Sequence, residues 1–170
     1  MALALLAGAV VALANLYAVA SRSNDLSRAG TIAAILASQK LEQLRGLAWG
    51  YRSDGRELTD TTTDVAAHPD GSTGGTGLLP SPPGSLLANV PGFVDYLDRA
   101  GAWVGTGVTP PANAAYVRRW SIGLPPGSAG DAIVIHVVVL RRGGEARVAA
   151  GLGTHFETAL LTGVLARRAP

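Results

Sequence analysis

The chain has 170 residues, a formal net charge of +2 at pH 7 and no cysteine. The missing cysteine excludes disulfide bonds, thiolate metal sites and thiol nucleophiles. The basic residues are scattered and form no continuous run, which speaks against a specific nucleic-acid-binding stripe. An alternative that stays open is a basic cluster built from Arg118, Arg119, Arg141 and Arg142.

Residues 1–20 are almost entirely apolar and carry no charge. An α-helix of this length reaches about 30 Å, which is the thickness of the hydrocarbon core of a bilayer. We therefore predict a transmembrane helix over residues 1–20. The side chains expected to face lipid or other helices are Leu3, Leu5, Leu6, Val10, Val11, Leu13, Leu16 and Val19.

Two other interpretations of this segment remain open. Ala18, Val19 and Ala20 resemble the small-residue cleavage site of a secretory signal peptide, but no Lys or Arg precedes the apolar run. A buried helix of a soluble core is the second alternative. Such a helix normally has a polar stripe, and residues 2–14 have none.

Residues 21–49 continue the helical pattern with an amphipathic character. Apolar residues recur there at spacings of three and four, which predicts one buried stripe on a solvent-exposed helix. Good helix formers such as Gln39, Lys40 and Glu42 lie mostly off this stripe. The residues expected to pack against the rest of the protein are Ile32, Leu36, Leu41 and Leu44.

Residues 50–91 are rich in Gly, Pro, Ser, Thr and Asp, which predicts a long irregular loop. Such a loop is either a surface used for contacts or a flexible excursion. Its glycines do not form a phosphate-binding loop, because that motif ends in Gly-Lys-Ser/Thr and the only lysine of the chain is Lys40.

Residues 92–170 change to the period of β-strands and are predicted to form an antiparallel head domain. Residues 93–97 and 102–105 predict a hairpin, and residues 116–122 predict a strand with one wetter face that carries Val117, Arg119 and Ser121. Residues 132–140 are apolar on both faces except at His136, which predicts the central, most buried strand. Residues 157–167 complete an antiparallel meander. The predicted class is α+β, with the long helix covering a sheet of three to five strands.

Few residues suggest chemistry. The three histidines, His68, His136 and His155, have no metal-ligand spacing, and no Gly-x-Ser-x-Gly motif is present. Four aspartates of the loop could collect Ca²⁺, although their spacing matches no EF-hand: Asp54, Asp60, Asp64 and Asp70. We expect no enzyme activity, no cofactor and no small-molecule substrate.

The hydrophobic N-terminal helix leads into a distinctive stretch, Gln39-Lys40-Leu41-Glu42-Gln43-Leu44-Arg45. With the long loop and small sheet that follow, this arrangement resembles type IV pilin-like proteins, in particular PilV-type minor pilins and type II secretion pseudopilins. Further similar stretches are Thr61-Thr62-Thr63-Asp64, Gly92-Phe93-Val94-Asp95-Tyr96-Leu97-Asp98 and Tyr116-Val117-Arg118-Arg119-Trp120.

The resemblance implies a structural subunit of a bacterial filament, anchored in the inner membrane by a single helix, with its head in the periplasm or outside the cell. Its implied partners are other pilin or pseudopilin subunits and inner-membrane lipid. The family also has a basic leader ending in Gly, then a Phe and a Glu. Because these residues are missing before Met1, we expect the chain to start inside the mature helix.

Overall fold

The structure, a computed structural model, describes residues 2–47, 65–66, 78, 80–125, 132–143 and 158–166. Over these residues the chain forms a long helix, α1, which spans Ala2–Arg45, and then five strands. The strands are β1 (Val94–Leu97), β2 (Trp103–Thr106), β3 (Tyr116–Gly123), β4 (Ala132–Arg141) and β5 (Thr158–Ala166). The fold is the α+β arrangement of a long helix on an antiparallel sheet that the sequence predicts.

Helix α1 runs for 44 residues without interruption, a length of about 66 Å. It is rich in Ala and Leu, contains no proline and therefore keeps its backbone hydrogen bonds through Gly30. The hydroxyl groups of Ser27 and Thr31 donate to carbonyl oxygens one turn earlier, at 2.9 and 3.0 Å. The helix ends at Arg45, where Gly46 N–H still donates to the Glu42 carbonyl.

The strands pair antiparallel in the order β2-β1-β3-β4-β5. All five predicted strands are confirmed to within one residue at each end. The predicted meander is wrong in one connection, because β3 pairs with the free edge of β1 and not with β2. The β1–β2 pairing is irregular, because its register shifts between Tyr96 and Leu97, whereas β1 pairs with β3 without a shift over Val94–Leu97.

The helix packs on one face of the sheet, against β3, β4 and β5. Its buried residues Leu36 and Leu44 join a core that includes Trp120, Ile135 and Val137. Helix and sheet are in close contact at Gly163 of β5, where an added Cβ would lie 2.9 Å from Leu41 Cδ1. The core therefore lies between the second half of α1 and the sheet.

The opposite, outer face of the sheet is covered over β1 and β3 but open over β5. The cover consists of residues 80–92 and 107–115. Arg119 Nε donates to Asn89 Oδ1 at 2.9 Å, and the Tyr96 hydroxyl donates to the Gly107 carbonyl at 2.7 Å. Leu160 and Val164 of β5 remain exposed on this face.

Two sequence predictions about the strands are corrected by this cover. The face of β3 that carries Val117 and Arg119 is buried and not wet, because residues 80–92 lie over it. β3, and not β4, is the middle strand, and for the same reason it is more buried than β4. The outer face of β4 is only half-buried at Val134 and His136.

Parts of the predicted 50–91 loop also belong to the core, so a simple surface loop is a wrong description of them. Val65, Ala66 and Leu78 are buried within the main cluster. Ala66 is fixed by its carbonyl oxygen, which accepts a hydrogen bond from Trp103 Nε1 at 3.1 Å. A single helix is too narrow to cover a five-stranded sheet, so these residues fill the remaining apolar area.

Candidate assembly and membrane surfaces

The first half of α1 presents an apolar surface that nothing in the described chain covers. The exposed fraction of its large apolar side chains lies between 58%, for Val10, and 78%, for Tyr17. Soluble monomers rarely expose a contiguous apolar patch of this extent. By length and composition, this helix, over Leu6–Arg45, can cross a membrane, and a signal sequence would pass the same test.

The structure places the predicted membrane and assembly residues in this half. Six of them have exposed side chains on the helix: Leu6, Val10, Val11, Leu13, Leu16 and Val19. Leu3 and Leu5 belong to the helical backbone, and their side chains lie outside the described part of the structure. The exposed side chains point in all directions around the axis, since they include Val10 and Val11 as well as Leu13 and Leu16.

The four residues predicted to pack on the sheet lie in the second half of α1. Leu36, Leu41 and Leu44 are buried in the core, and Ile32 is partly buried against it. Between the two halves, residues 21–28 form a polar segment in which Arg22, Asp25 and Arg28 are exposed. The first buried residue is Ala29. The helix thus passes from a fully exposed apolar segment to a docked one within about 13 Å.

A buried group of three charges joins the two layers of the head. Arg118 of β3 makes a bidentate pair with Asp95 of β1, through Nε and Nη2, both at 2.8 Å. Lys40 of α1 lies 3.1 Å from the same carboxylate, at Oδ2. Asp95 is 0% exposed and Lys40 1%. We call these three residues the charge triad.

The charge triad ties four segments together. Arg118 Nη1 donates to the carbonyl oxygen of Leu36 in α1 at 3.1 Å. Lys40 Nζ also donates to the Val65 carbonyl oxygen and lies 4.0 Å from the centre of the Trp120 ring, a cation–π distance. Because a buried charge is costly unless it is paired, these contacts fix the rotation and height of α1 on the sheet.

The charge triad is not among the sequence predictions, in which Lys40 belongs to residues mostly off the apolar stripe. Lys40 in fact lies on the buried face of the helix. The available signal was its spacing, four residues after Leu36 and four before Leu44, both of which are core residues. A charged residue at a stripe position indicates a buried partner elsewhere in the chain.

Those of the other candidate residues that the structure describes do not come together as a site. Arg118 and Arg119 are neighbours on β3, so they project from opposite faces of the sheet, and both are buried. The four-arginine cluster is therefore wrong. His136 Nδ1 lies 2.9 Å from the Thr162 hydroxyl. His68, His155 and the four loop aspartates lie outside the described residues. Among the residues that are described, no group of three His, Cys, Asp or Glu is placed to hold a metal ion.

Two features of the described residues bear on function. They are the exposed apolar half of α1 and the buried junction, formed by the charge triad, between α1 and the head. In comparisons with known proteins, no protein-family model, no curated protein and no solved structure matches this chain.

Proposed function

We propose that the protein is a structural subunit of a type IV pilin-like filament, either a minor pilin or a type II secretion pseudopilin. Residues 1–20 hold the subunit in the bacterial inner membrane as a single-pass anchor, with the head on the periplasmic side or outside the cell. The observation that supports this function most directly is the uninterrupted helix Ala2–Arg45, which is apolar and exposed in its first half and part of the head core in its second.

This division of one helix suits a subunit that moves from membrane to filament. In the bilayer, the apolar half satisfies its own backbone hydrogen bonds and contacts lipid. In a filament, the same surface contacts the helices of neighbouring subunits. Its small residues, among them Ala7, Gly8 and Ala12, permit close helix–helix approach. Lipid contacts are then exchanged for helix contacts without refolding the head.

The charge triad supports the same function because a filament subunit must transmit force from its helix to its head. Arg118 binds both the Asp95 carboxylate and a carbonyl of the helix backbone. A pull along α1 therefore acts directly on β1 and β3. In this protein the partners are other subunits and inner-membrane lipid, and no catalytic role is assigned to any residue.

Membrane partition and crosslinking test this function. The full chain should remain with inner membranes after alkaline extraction. Because the chain has no cysteine, the single variant Leu13→Cys should crosslink to other pilin-like subunits through the apolar half of α1. The matched variant Gln43→Cys, exposed on the docked half, controls for random collision. A full-length chain that is monomeric and free in solution would contradict the proposal.

A second candidate function is a secreted or membrane-anchored binding module whose residues 1–20 act as a signal peptide. One observation favours it: the first buried side chain is Ala29, so cleavage after Ala20 would remove no described residue of the core. Mass spectrometry of the protein from its native host separates the two candidates. A mature N-terminus at Ser21 supports the secreted module, and retention of residues 1–20 supports the filament subunit.

A further inference from the structure

The two ends of the sheet can be ordered along α1 by their contacts with it. Asp95 lies beside Lys40, and further along the same hairpin the turn residue Gly101 lies close to Leu36, whose Cδ2 would be 3.0 Å from an added Cβ. On β5, Gly163 lies four residues beyond Ala159, which is level with Asp95, and it packs against Leu41 and Arg45. The β1–β2 turn therefore points toward the apolar half of α1. We call this end of the head its lower end.

The register places further chain segments at the lower end. Leu97 pairs with Tyr116, and Tyr116 pairs with Arg141, so the start of β3 and the end of β4 lie beside the turn. The backbone N–H of Arg142 donates to the Ala115 carbonyl at 2.8 Å, which fixes Arg142 at the same level.

Exposed arginines collect at this lower end and on the helix just below it. They are Arg22 and Arg28 of α1, Arg99 of the β1–β2 turn, Arg141 at the end of β4 and Arg142 just after it, and we call them the arginine collar. Arg142 Nη1 also donates to the carbonyl oxygens of Pro111 and Ala112. Among the described residues, the acidic side chains at this level outside the charge triad are Asp25 and Asp98. Asp98 Oδ1 accepts the N–H groups of Ala100 and Ala102 and is thus used within the turn.

The upper end of the head has a different character. Its described strand ends, residues 121–124, 132–133 and 165–166, contain no charged side chain. The charged residues at that end of α1, Glu42 and Arg45, pair with each other at 3.1 Å. Among the described residues of the head, positive charge is therefore concentrated at the end from which the apolar helix projects.

The collar lies near the height of a membrane surface. If residues 2–20 span the hydrocarbon core and α1 is upright, Arg22 and Arg28 lie about 3 and 12 Å above its boundary, and Leu36, beside the β1–β2 turn, lies about 24 Å above it. A headgroup layer takes up roughly 5–8 Å of that distance. Arg22 and Arg28 therefore lie within about one Debye length of the headgroups and the β1–β2 turn within about two, and a tilt of α1, which is usual for a membrane helix, brings the turn closer to anionic lipid.

We propose that the arginine collar docks the head onto anionic phospholipid headgroups while the subunit is stored in the membrane. Docking holds α1 at a fixed depth and tilt, so that the head leaves the surface only when filament contacts replace the lipid. The collar requires an inserted helix and so rests on the function proposed above. Anionic lipid is the occupant because the apolar helix brings these arginines to a bilayer surface and to no other surface first.

The test uses the full chain in nanodiscs of phosphatidylcholine alone or with phosphatidylglycerol. A fluorophore on Ala100→Cys, in the β1–β2 turn, reports approach to lipids that carry a quencher on the headgroup. A second label on Leu124→Cys, exposed at the upper end, serves as the reference position. Anionic nanodiscs should increase quenching at position 100 several-fold, 0.5 M salt should abolish the increase, and position 124 should not respond.

Charge variants then test the collar itself. Arg99→Gln and Arg28→Gln should each lower the ratio of docked to free heads roughly five-fold. The matched variant Arg45→Gln removes the same charge from the upper end and should change nothing. Equal effects of Arg45→Gln and Arg99→Gln would overturn the proposal, as would quenching that ignores lipid charge. Quenching that rises with protein concentration would assign the surface to a second subunit and overturn the lipid assignment.

Insertion is measured separately, by flotation of the same nanodisc or vesicle preparations. A chain that does not float with lipid contradicts the membrane-anchored subunit itself. If the chain floats but the quenching at position 100 does not depend on lipid charge, the result contradicts the collar alone.

Discussion

The two halves of α1 have similar helix-forming residues but opposite surroundings. Residues 6–28 are almost entirely exposed, whereas residues 29–47 bury a stripe against the sheet. The difference lies in how apolar residues are spaced. In the first half they surround the helix, and in the second they recur at three and four, with polar residues between them. Helix propensity makes both halves helical, and the spacing decides which half finds its partner inside the chain.

The two halves of α1 contribute to two different free energies. Substitutions in the second half should change the free energy of unfolding of the head. Substitutions in the first half should change the free energy of membrane insertion or of assembly and leave the head intact. A substitution in one half, or in the sheet beneath it, can therefore be compared with a matched substitution elsewhere.

The largest effect is expected from Asp95→Asn. This change keeps the shape of the side chain but leaves Lys40 and Arg118 buried without a carboxylate between them. Removing one partner of a buried ion pair costs about 3–5 kcal/mol. Denaturant unfolding of the full chain in detergent, followed by tryptophan fluorescence, measures this loss. The control Asp25→Asn, on the exposed helix segment, should change stability by less than about 0.5 kcal/mol. A loss below about 1 kcal/mol for Asp95→Asn would show that the carboxylate is not needed.

Leu44→Ala should lower the free energy of unfolding by about 2–5 kcal/mol, because Leu44 is completely buried and the change leaves a cavity. The same substitution in the other half, Leu13→Ala, should have no measurable effect on head unfolding, because Leu13 is 66% exposed. Both variants are compared by chemical unfolding in the same detergent. Similar losses for the two would mean that the apolar half of α1 packs on the head in solution.

Leu13→Arg should change membrane insertion and leave the stability of the head intact, which is the reverse of Leu44→Ala. A charged side chain at the centre of a membrane helix raises the free energy of insertion by about 2.5–3.5 kcal/mol. The inserted fraction, measured by alkaline extraction of membranes, should fall sharply, while denaturant unfolding of the head stays as in the parent chain. The control is Thr31→Arg, which adds the same charge at an exposed position above the predicted span. Unchanged insertion of the Leu13→Arg chain would argue against a transmembrane role.

Local spacing was enough to predict α1 and the strands because each depends on side chains close together in the sequence. The period of three and four placed Leu36 and Leu44 on one face, and alternation placed Trp120 beside Arg118. The order of strands could not be predicted in this way. β1 and β2 are equally long, and whether β3 joins one or the other depends on contacts between residues that lie far apart in the sequence.

The partners within the charge triad could not be predicted for a related reason. The spacing of Lys40 indicates a buried partner, but that partner, Asp95, lies far from both Lys40 and Arg118 in the sequence. Sequence pattern indicates the side of a helix or strand on which a residue lies, but it does not identify the partner that offsets the cost of burying a charge. The arginine collar is equally non-local, since its members come from α1, the β1–β2 turn and the end of β4.

The smallest loss of unfolding free energy is expected at the close contact between Gly163 of the sheet and Leu41 of the helix. A Cβ at position 163 would lie 2.9 Å from Leu41 Cδ1, the flexible end of that side chain, so Gly163→Ala should cost only about 1 kcal/mol. The matched variant Gly123→Ala meets no atom within 4 Å and should be neutral or slightly stabilising.

A double-mutant cycle shows whether this contact belongs to the helix–sheet junction. Leu41→Ala removes the atom that the new methyl group meets, so the cost of Gly163→Ala should disappear when both changes are combined. Coupling of at least about 0.5 kcal/mol, measured by chemical unfolding, is expected for residues in contact. If the losses of unfolding free energy from the two substitutions were strictly additive, α1 would shift away from β5 without destabilising the head. In that case Lys40 and Arg118, rather than close packing at Gly163, would alone determine where the second half of the helix lies.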